Sequence, residues 1–301
     1  MKRPWLDHYG AVPHHLTYPA GSMSDQILEN AKKYPEREAL SFMGKKISYG
    51  ALEQNIRAVA RAFWGLGIRK GHRVTLCLPN APQTVYCLYA LNELGAQAVL
   101  IHPLSAEKEI VFFLKETDCH VLVTLRQFYD KVMKVQEEYP LKHLLITDID
   151  DALGGVKKIG YQLTVQRKLP RPVPAENLLL WRDFLVLGKD PYEKAAMTAE
   201  TLAVILFSGG TTGVNKGILL TNGNFNALAL QTEAMCNRPV AGKRILAAMP
   251  MFHGFGLGVC VHTALACGAS SVLVPRFNVK EYAGLIRKER PHYIAGVTAM
   301  S

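Results

Sequence analysis

Ten consecutive residues, Ser208-Gly209-Gly210-Thr211-Thr212-Gly213-Val214-Asn215-Lys216-Gly217, combine hydroxyls, glycines and one amine in a short span. Glycines give tight turns and let backbone N–H groups approach an anion closely. Ser208, Thr211 and Thr212 add hydroxyl donors, and Lys216 adds a mobile positive charge. Together these suit the phosphates of a nucleotide. The order is not that of the common P-loop, which needs Gly-Lys followed by Ser or Thr. Here Lys216 follows Asn215 and precedes Gly217, and the next segment reads as a strand. Taken alone, the same residues also fit a Gly/Thr-rich hairpin with no ligand.

An α/β rhythm should position this loop. Leu52, Ile56, Val59, Phe63 and Leu66 follow helical spacing, with Ser48 as the expected cap and Gly67 as the expected stop. A helix is expected before it, near 24–33. Residues 73–78, 97–101, 120–124 and 143–147 read as strands. The helices between them should be opened by Asn80, with Pro82 in the first turn, and by Ser105. Strand and helix alternating over short connections predict a largely parallel sheet. Residues 154–174 are polar and basic and read as a surface connection. The rhythm then resumes, with strands at 202–207, 217–221, 244–249, 271–274 and 293–297. Asn222 and Asn278 are expected to cap helices, and a further helix is expected over 257–267. The expected division is an arm over 1–23, a first α/β subdomain with its connection over 24–174, and a second over 175–301.

Composition bounds the partners. The 301 residues are 49% hydrophobic, enough for a sizeable core, and carry 35 Lys and Arg against 25 Asp and Glu, a net +10. That balance suits a nucleotide, a phosphorylated thiol carrier or an anionic membrane, and it is equally met by solvated surface. No nucleic-acid motif accompanies the basic stretch. The six cysteines form no C-x-x-C pair and read as free thiols of a reducing compartment. Pro4, Asp7 and His8 interrupt any signal-peptide core, and 254–275 reads as a buried helix and strand rather than a span. The expectation is a soluble, cytoplasmic protein.

The 208–217 segment resembles the phosphate-binding signature of the adenylate-forming superfamily: acyl-CoA synthetases, peptide-synthetase adenylation domains and luciferases. The family usually has Pro where Asn215 stands and often Ser where Gly209 stands. Losing Pro frees the backbone of the loop. Met249-Pro250-Met251-Phe252-His253-Gly254-Phe255-Gly256 is similar to the family's second core motif. By that resemblance His253 lies beside the substrate carboxylate, and Phe252 and Gly254 shape the acid site. A lone histidine without this setting would read as structural. Gly254, Gly256 and Gly258 either leave room for an acyl chain or permit close helix packing.

The first half resembles the family too, in Ile47-Ser48-Tyr49, Gly65-Leu66-Gly67-Ile68, Gly71, Leu78-Pro79-Asn80 and Gly95-Ala96. Ala51 stands where Glu is common, and His72 where Asp is usual. The resemblance runs from about Ser24 to the end. Pro4-Trp5-Leu6 with Tyr9, Pro13-His14-His15 and Arg276-Phe277-Asn278 look most like long-chain fatty acid–CoA ligases.

The resemblance implies the N-terminal large domain of such an enzyme, with stacked α/β subdomains. It also implies ATP, Mg2+ and coenzyme A. A carboxylic acid would attack the α-phosphorus of ATP, and a thiol would then attack the acyl-adenylate. Ser208, Gly209, Gly210, Thr211, Thr212, Gly213 and Lys216 would hold phosphate. The Tyr-Gly-x-Thr-Glu segment, whose Glu helps hold magnesium, is not found here. Nor are the Gly-Arg-x-x-Asp hinge and the C-terminal domain with its catalytic lysine. A truncated gene product, slow or inactive alone, is therefore the expectation. Two alternatives stand beside the CoA ligase: an adenylating enzyme that loads a carrier-protein thiol, and an inactive nucleotide- or acyl-binding module. Peripheral membrane contact and oligomeric state are left open.

Overall fold

The computed structural model describes residues 3–209, 215–236 and 238–297. After an exposed 3-10 turn at Pro4–His8, α1 (Met23–Lys33) leads into the hairpin β1 (Glu38–Phe42) and β2 (Lys45–Ser48). Helix α2 (Tyr49–Gly65) starts and stops where its sequence predicts. The Ser48 hydroxyl accepts from Ala51 N at 3.2 Å, and Gly67 leaves the helix at φ +85°. The alternating run then follows: β3 (Arg73–Cys77), α3 (Pro82–Glu93), β4 (Gln97–Leu100), α4 (Glu107–Glu116), β5 (Val121–Leu125), α5 (Tyr129–Glu138) and β6 (His143–Thr147).

Residues 155–168 depart from the expected irregular connection. They hold α6 (Gly155–Thr164) and a 3-10 turn at Gln166–Lys168. Gly154, Gly155 and Gly160 dilute a helical period that Val156, Ile159 and Leu163 nonetheless carry. Next come β7 (Leu178–Leu180), α7 (Trp181–Val186), β8 (Leu202–Ser208), β9 (Lys216–Thr221), α8 (Asn222–Met235) and β10 (Arg244–Ala247). The helix expected over 257–267 is π-helical over Gly256–His262 and becomes regular only in α9 (Thr263–Ala266). β11 (Ser270–Leu273), α10 (Val279–Glu289) and β12 (Tyr293–Ile294) complete the described chain. β12 is a two-residue edge strand rather than the longer buried one expected.

The strands form two sheets, with order β12-β10-β11-β1-β2 and β7-β6-β5-β3-β4-β8-β9. All pairs are parallel except the hairpins β1–β2 and β8–β9. The sheets do not divide the chain at residue 174. β1 pairs with β11 (Leu40 opposite Ser271), and β4 pairs with β8 (Val99 opposite Ile205). β1 and β4 are interior strands, and in each case the second half of the sequence supplies one of the two neighbours. The main core lies between the sheets, where Tyr49, Phe63, Tyr89 and Phe184 are fully buried.

Three expected caps, Asn80, Ser105 and Asn222, do not cap their helices. α3 is preceded by Ala81 and α4 by Ala106, whose N–H donates to Glu109 Oε2 at 2.9 Å. α8 is capped by Thr221, which accepts from Asn224 N at 3.3 Å. The buried Asn222 instead ties three helices together. Its Oδ1 accepts from Met23 N at 3.1 Å and from Asn92 Nδ2 at 2.8 Å. Among the described residues no helix is long and apolar enough to cross a membrane.

Candidate active site

In the seven-stranded sheet, β4 and β8 lie on one side of β3, and β5 to β7 lie on the other. The chain therefore reverses its direction of growth beside β3. In an open α/β sheet the crevice past the strand ends at such a point is where ligands bind. Among the described residues, Ser208, Gly209, Lys216, Phe252, His253 and Gly254 collect at that end.

Ser208 closes β8 and lies in register with Lys216, the first residue of β9. The phosphate-loop candidate is thus the connection of an antiparallel hairpin, as its failure to lead into a helix implied. Ser208, Gly209 and Lys216 are all exposed. Gly210, Thr211, Thr212 and Gly213 lie outside the described residues. The strand end beneath the loop is held by aromatic packing, with the Phe207 ring 4.3 Å from that of Phe113.

The second motif meets this strand from the other sheet. Past β10 the chain turns at Met249–His253, and a helical run opens at Gly254. A Cβ placed on Gly254 would lie 3.7 Å from Leu206 of β8, two residues before Ser208. The two motifs therefore adjoin, although His253 lies 36 positions after Gly217. Phe252 is half-buried, while His253 and Gly254 are exposed. The first N–H groups of a helix lack intrahelical partners and favour an anion, so the start of this run suits a carboxylate.

Asn80, expected to cap α3, holds this turn in place. Its Nδ2 donates to Ala247 O and Met249 O at 2.9 Å each, and its Oδ1 accepts from Met251 N at 2.8 Å. A single buried amide thus joins the end of β3 to the end of β10. It bridges the two sheets where the site lies.

Sequence reasoning passed over His102. This residue follows β4, and its ring centroid lies 4.3 Å from that of Phe252, which in turn lies 4.7 Å from His253. One aromatic ring thus adjoins two imidazoles. His102 Nδ1 accepts from Leu104 N at 2.8 Å, which leaves Nε2 as the protonated nitrogen of the neutral ring. Desolvation, then the nearby His253 and Lys131, pushes the His102 pKa below its usual value. Near neutral pH it is a neutral hydrogen-bond donor. Its position directly after a parallel strand was the available signal, and no motif drew attention to it.

Two cavities, of about 600 and 670 Å³, are lined by other residues. The first is crossed by Lys194, which pairs with the buried Glu93 at 3.1 Å. Among the described residues no three His, Cys, Asp or Glu side chains cluster to hold a metal. The magnesium ligand set implied by the resemblance is thus not found among the described residues.

Known proteins share this fold. The chain is 29% identical to a long-chain-fatty-acid–CoA ligase of Bacillus subtilis over 98% of its own length and 54% of that protein's. It is 28% identical to the enzyme of the same name from Salmonella typhimurium, over its full length and 55% of that protein. The chain therefore spans about half the length of these curated relatives. Among solved structures, a long-chain-fatty-acid–CoA ligase from Archaeoglobus fulgidus superposes with a TM-score of 0.76 at 25% identity, covering 93% of this chain and 52% of that one. An anthranilate CoA ligase bound to anthranoyl-AMP has the same fold, with a TM-score of 0.75 at 22% identity over 93% of this chain and 50% of that one. The model of the AMP-binding enzyme family matches residues 27–301, and the chain belongs to that family.

Proposed function

We propose that the chain carries the nucleotide- and acid-binding half of a ligase that activates a fatty acid as its acyl-adenylate and passes it to coenzyme A. The observation that carries this reading is the meeting of the two motifs, with Gly254 packed beside Leu206 at the foot of the Ser208–Lys216 hairpin. An acid seated at Phe252, His253 and Gly254 would have its carboxylate next to a nucleotide held by the loop. The carboxylate oxygen attacks the α-phosphorus of ATP, an O–P bond forms, and the bond to the β-phosphate bridging oxygen breaks to release pyrophosphate. The thiol of coenzyme A then attacks the acyl carbon and AMP leaves. Neither step needs a protein nucleophile. The protein's part is positioning and charge stabilisation.

Ser208, Gly209, Gly210, Thr211, Thr212, Gly213 and Lys216 are assigned to the phosphates. His253 is assigned to the carboxylate, with His102 beside it as a neutral donor. The long-chain preference is supported by the names of the curated relatives.

Carboxylate-dependent ATP–pyrophosphate exchange, with short, long and aromatic acids, tests the reading. The chain alone is expected to be slow, so the expected result is weak exchange that requires a long-chain acid and falls about 100-fold in Thr212→Ala. Nucleotide binding by the folded chain that is unchanged in Thr212→Ala and in Lys216→Ala would overturn the loop assignment. Exchange best supported by an aromatic acid would overturn the fatty-acid assignment and leave adenylation in place.

A further inference from the structure

The larger cavity, of about 670 Å³, is lined by a residue that carries a buried polar atom with no partner. Gln83 lies in the first turn of α3 and is 1% exposed. Its Nε2 donates to Asp148 O at 2.8 Å and to Thr147 Oγ1 at 3.3 Å. A carbonyl oxygen can only accept, so the N–H end of the Gln83 amide must face Asp148 O. Thr147 gives its own proton to Asp151 Oδ2 at 2.9 Å, which agrees with that orientation. The Gln83 carbonyl oxygen, Oε1, is left buried and unpartnered among the described residues. A buried acceptor in this state is costly, and a donor from outside the chain would relieve it.

The walls around Gln83 are apolar and partly aromatic. Tyr86 follows one turn later on α3, and Ile47, Trp181 and Leu185 also line the cavity. Aromatic walls favour a planar ring. The rim is cationic, with Lys45, Lys46, Lys158 and Arg182 against the single acid Asp151. Lys46 pairs with Glu38 and Arg182 with Asp183. Lys45 and Lys158 enter no ion pair among the described residues. A Cβ placed on Gly154 would lie 3.9 Å from the Lys45 stem, so Lys45 runs beside the start of α6, which carries Lys158.

We propose that this cavity is a binding site for a small aromatic organic anion whose ring bears an N–H or O–H donor. The ring lies against Tyr86 and Trp181, the donor meets Gln83 Oε1, and the anionic group meets Lys45 and Lys158. The volume falls within the range of about 300–1,000 Å³ that suits such ligands. The cavity lies where β2, α2, α3 and α7 meet. β2 and β7 are edge strands, at the opposite edges of their sheets from β12 and β9. The cavity shares no residue with the candidate active site, so the proposal stands or falls independently of the adenylation reading.

Calorimetric titration of the 301-residue chain with anilinonaphthalene sulfonate, which joins an N–H, an aromatic body and an anion, tests it. Two related probes each lack one feature: naphthalene sulfonate has no N–H, and phenylnaphthylamine has no anion. One saturable site for anilinonaphthalene sulfonate is the expected result. Gln83→Leu should weaken it about tenfold and leave naphthalene sulfonate binding unchanged. Lys45→Glu with Lys158→Glu should also weaken it about tenfold and leave phenylnaphthylamine binding unchanged. Circular dichroism and thermal midpoints report whether each variant is folded. The lysine pair lies at the rim rather than in the core, so the charge comparison decides the matter even where Gln83→Leu does not fold. No binding of anilinonaphthalene sulfonate, or binding indifferent to the variants, would overturn the proposal. So would binding that is lost in His253→Ala and not in them, which would place the probe in the candidate acid site.

Discussion

Asn80 sits two residues before α3, yet both functions of its amide go to backbone some 170 residues away. Ala247 O keeps a second donor, Val274 N at 3.2 Å, when the amide is removed. Met251 N and Met249 O lose the partner Asn80 supplies. Leaving buried backbone groups unpaired makes Asn80→Ala cost about 2–3 kcal/mol. Urea unfolding would show this, and a loss below about 0.5 kcal/mol would mean that the turn at 249–253 is held by other contacts. His262 makes a second case. It is fully buried on the π-helical segment, with Nδ1 3.1 Å from the Tyr89 hydroxyl and Nε2 unpartnered among the described residues. Burial pushes its pKa down to about 3 from an ordinary 6.5. The folded chain therefore keeps it neutral while the unfolded chain protonates it below 6.5. Its contribution to stability is fully present above 6.5 and is lost as pH falls toward 3. Between pH 6.5 and 5 the loss is about 2 kcal/mol. His262→Gln should remove that part of the acid slope when urea midpoints at pH 7 and pH 5 are compared. An unchanged slope would show that the imidazole takes up its proton in the fold.

At the scale of elements, the three small residues Gly254, Gly256 and Gly258 separate into different roles. A Cβ at Gly256 would collide with the carbonyl oxygens of Met249 and Pro250, which are backbone and cannot turn aside. At Gly258 it would meet the end of the Leu228 side chain on α8, which can shift. At Gly254 it would make only ordinary contact with Leu206. The expected order of destabilisation on substitution by Ala is therefore 256, then 258, then 254. The cost is about 2–3 kcal/mol at the first and under about 0.5 at the last. Thermal midpoints of the three variants would check it, and a Gly256→Ala midpoint equal to that of Gly254→Ala would refute the close approach. Helix caps show how element ends were read from the chain. Ser48 and Asn278 do cap their helices, accepting from Ala51 N and Lys280 N. Asn80 and Asn222 do not, because both are buried and their amides must satisfy groups on other elements. A polar residue before a helix looks the same in sequence in either case.

At the scale of the molecule, the two sheets make the halves of the chain interdependent. A piece comprising residues 24–174 would leave β4 without β8 and β1 without β11. It would also leave the buried Glu93, which accepts from Ser24 Oγ at 2.6 Å, without its ion-pair partner Lys194. That piece is expected to show no cooperative urea transition, while the whole chain unfolds with coincident circular-dichroism and tryptophan-fluorescence midpoints. A cooperative transition from the isolated piece would mean that the first half folds as a sequential unit after all.

Residue order alone determined most elements and marked the two motifs proposed to carry the site. Helical and strand periods are set by neighbours a few positions apart, and a phosphate loop carries its hydroxyls and glycines within ten residues. Only the tertiary structure decided which strands pair, that His102 adjoins Phe252, and which glycine is a close approach rather than open space. It also turned the apolar stripe of α6 outward. The pairing of β4 with β8 and the contact of His102 with Phe252 depend on closing loops of a hundred residues or more, and the other outcomes on how neighbouring turns and buried polar groups then pack. Local sequence carries no record of either.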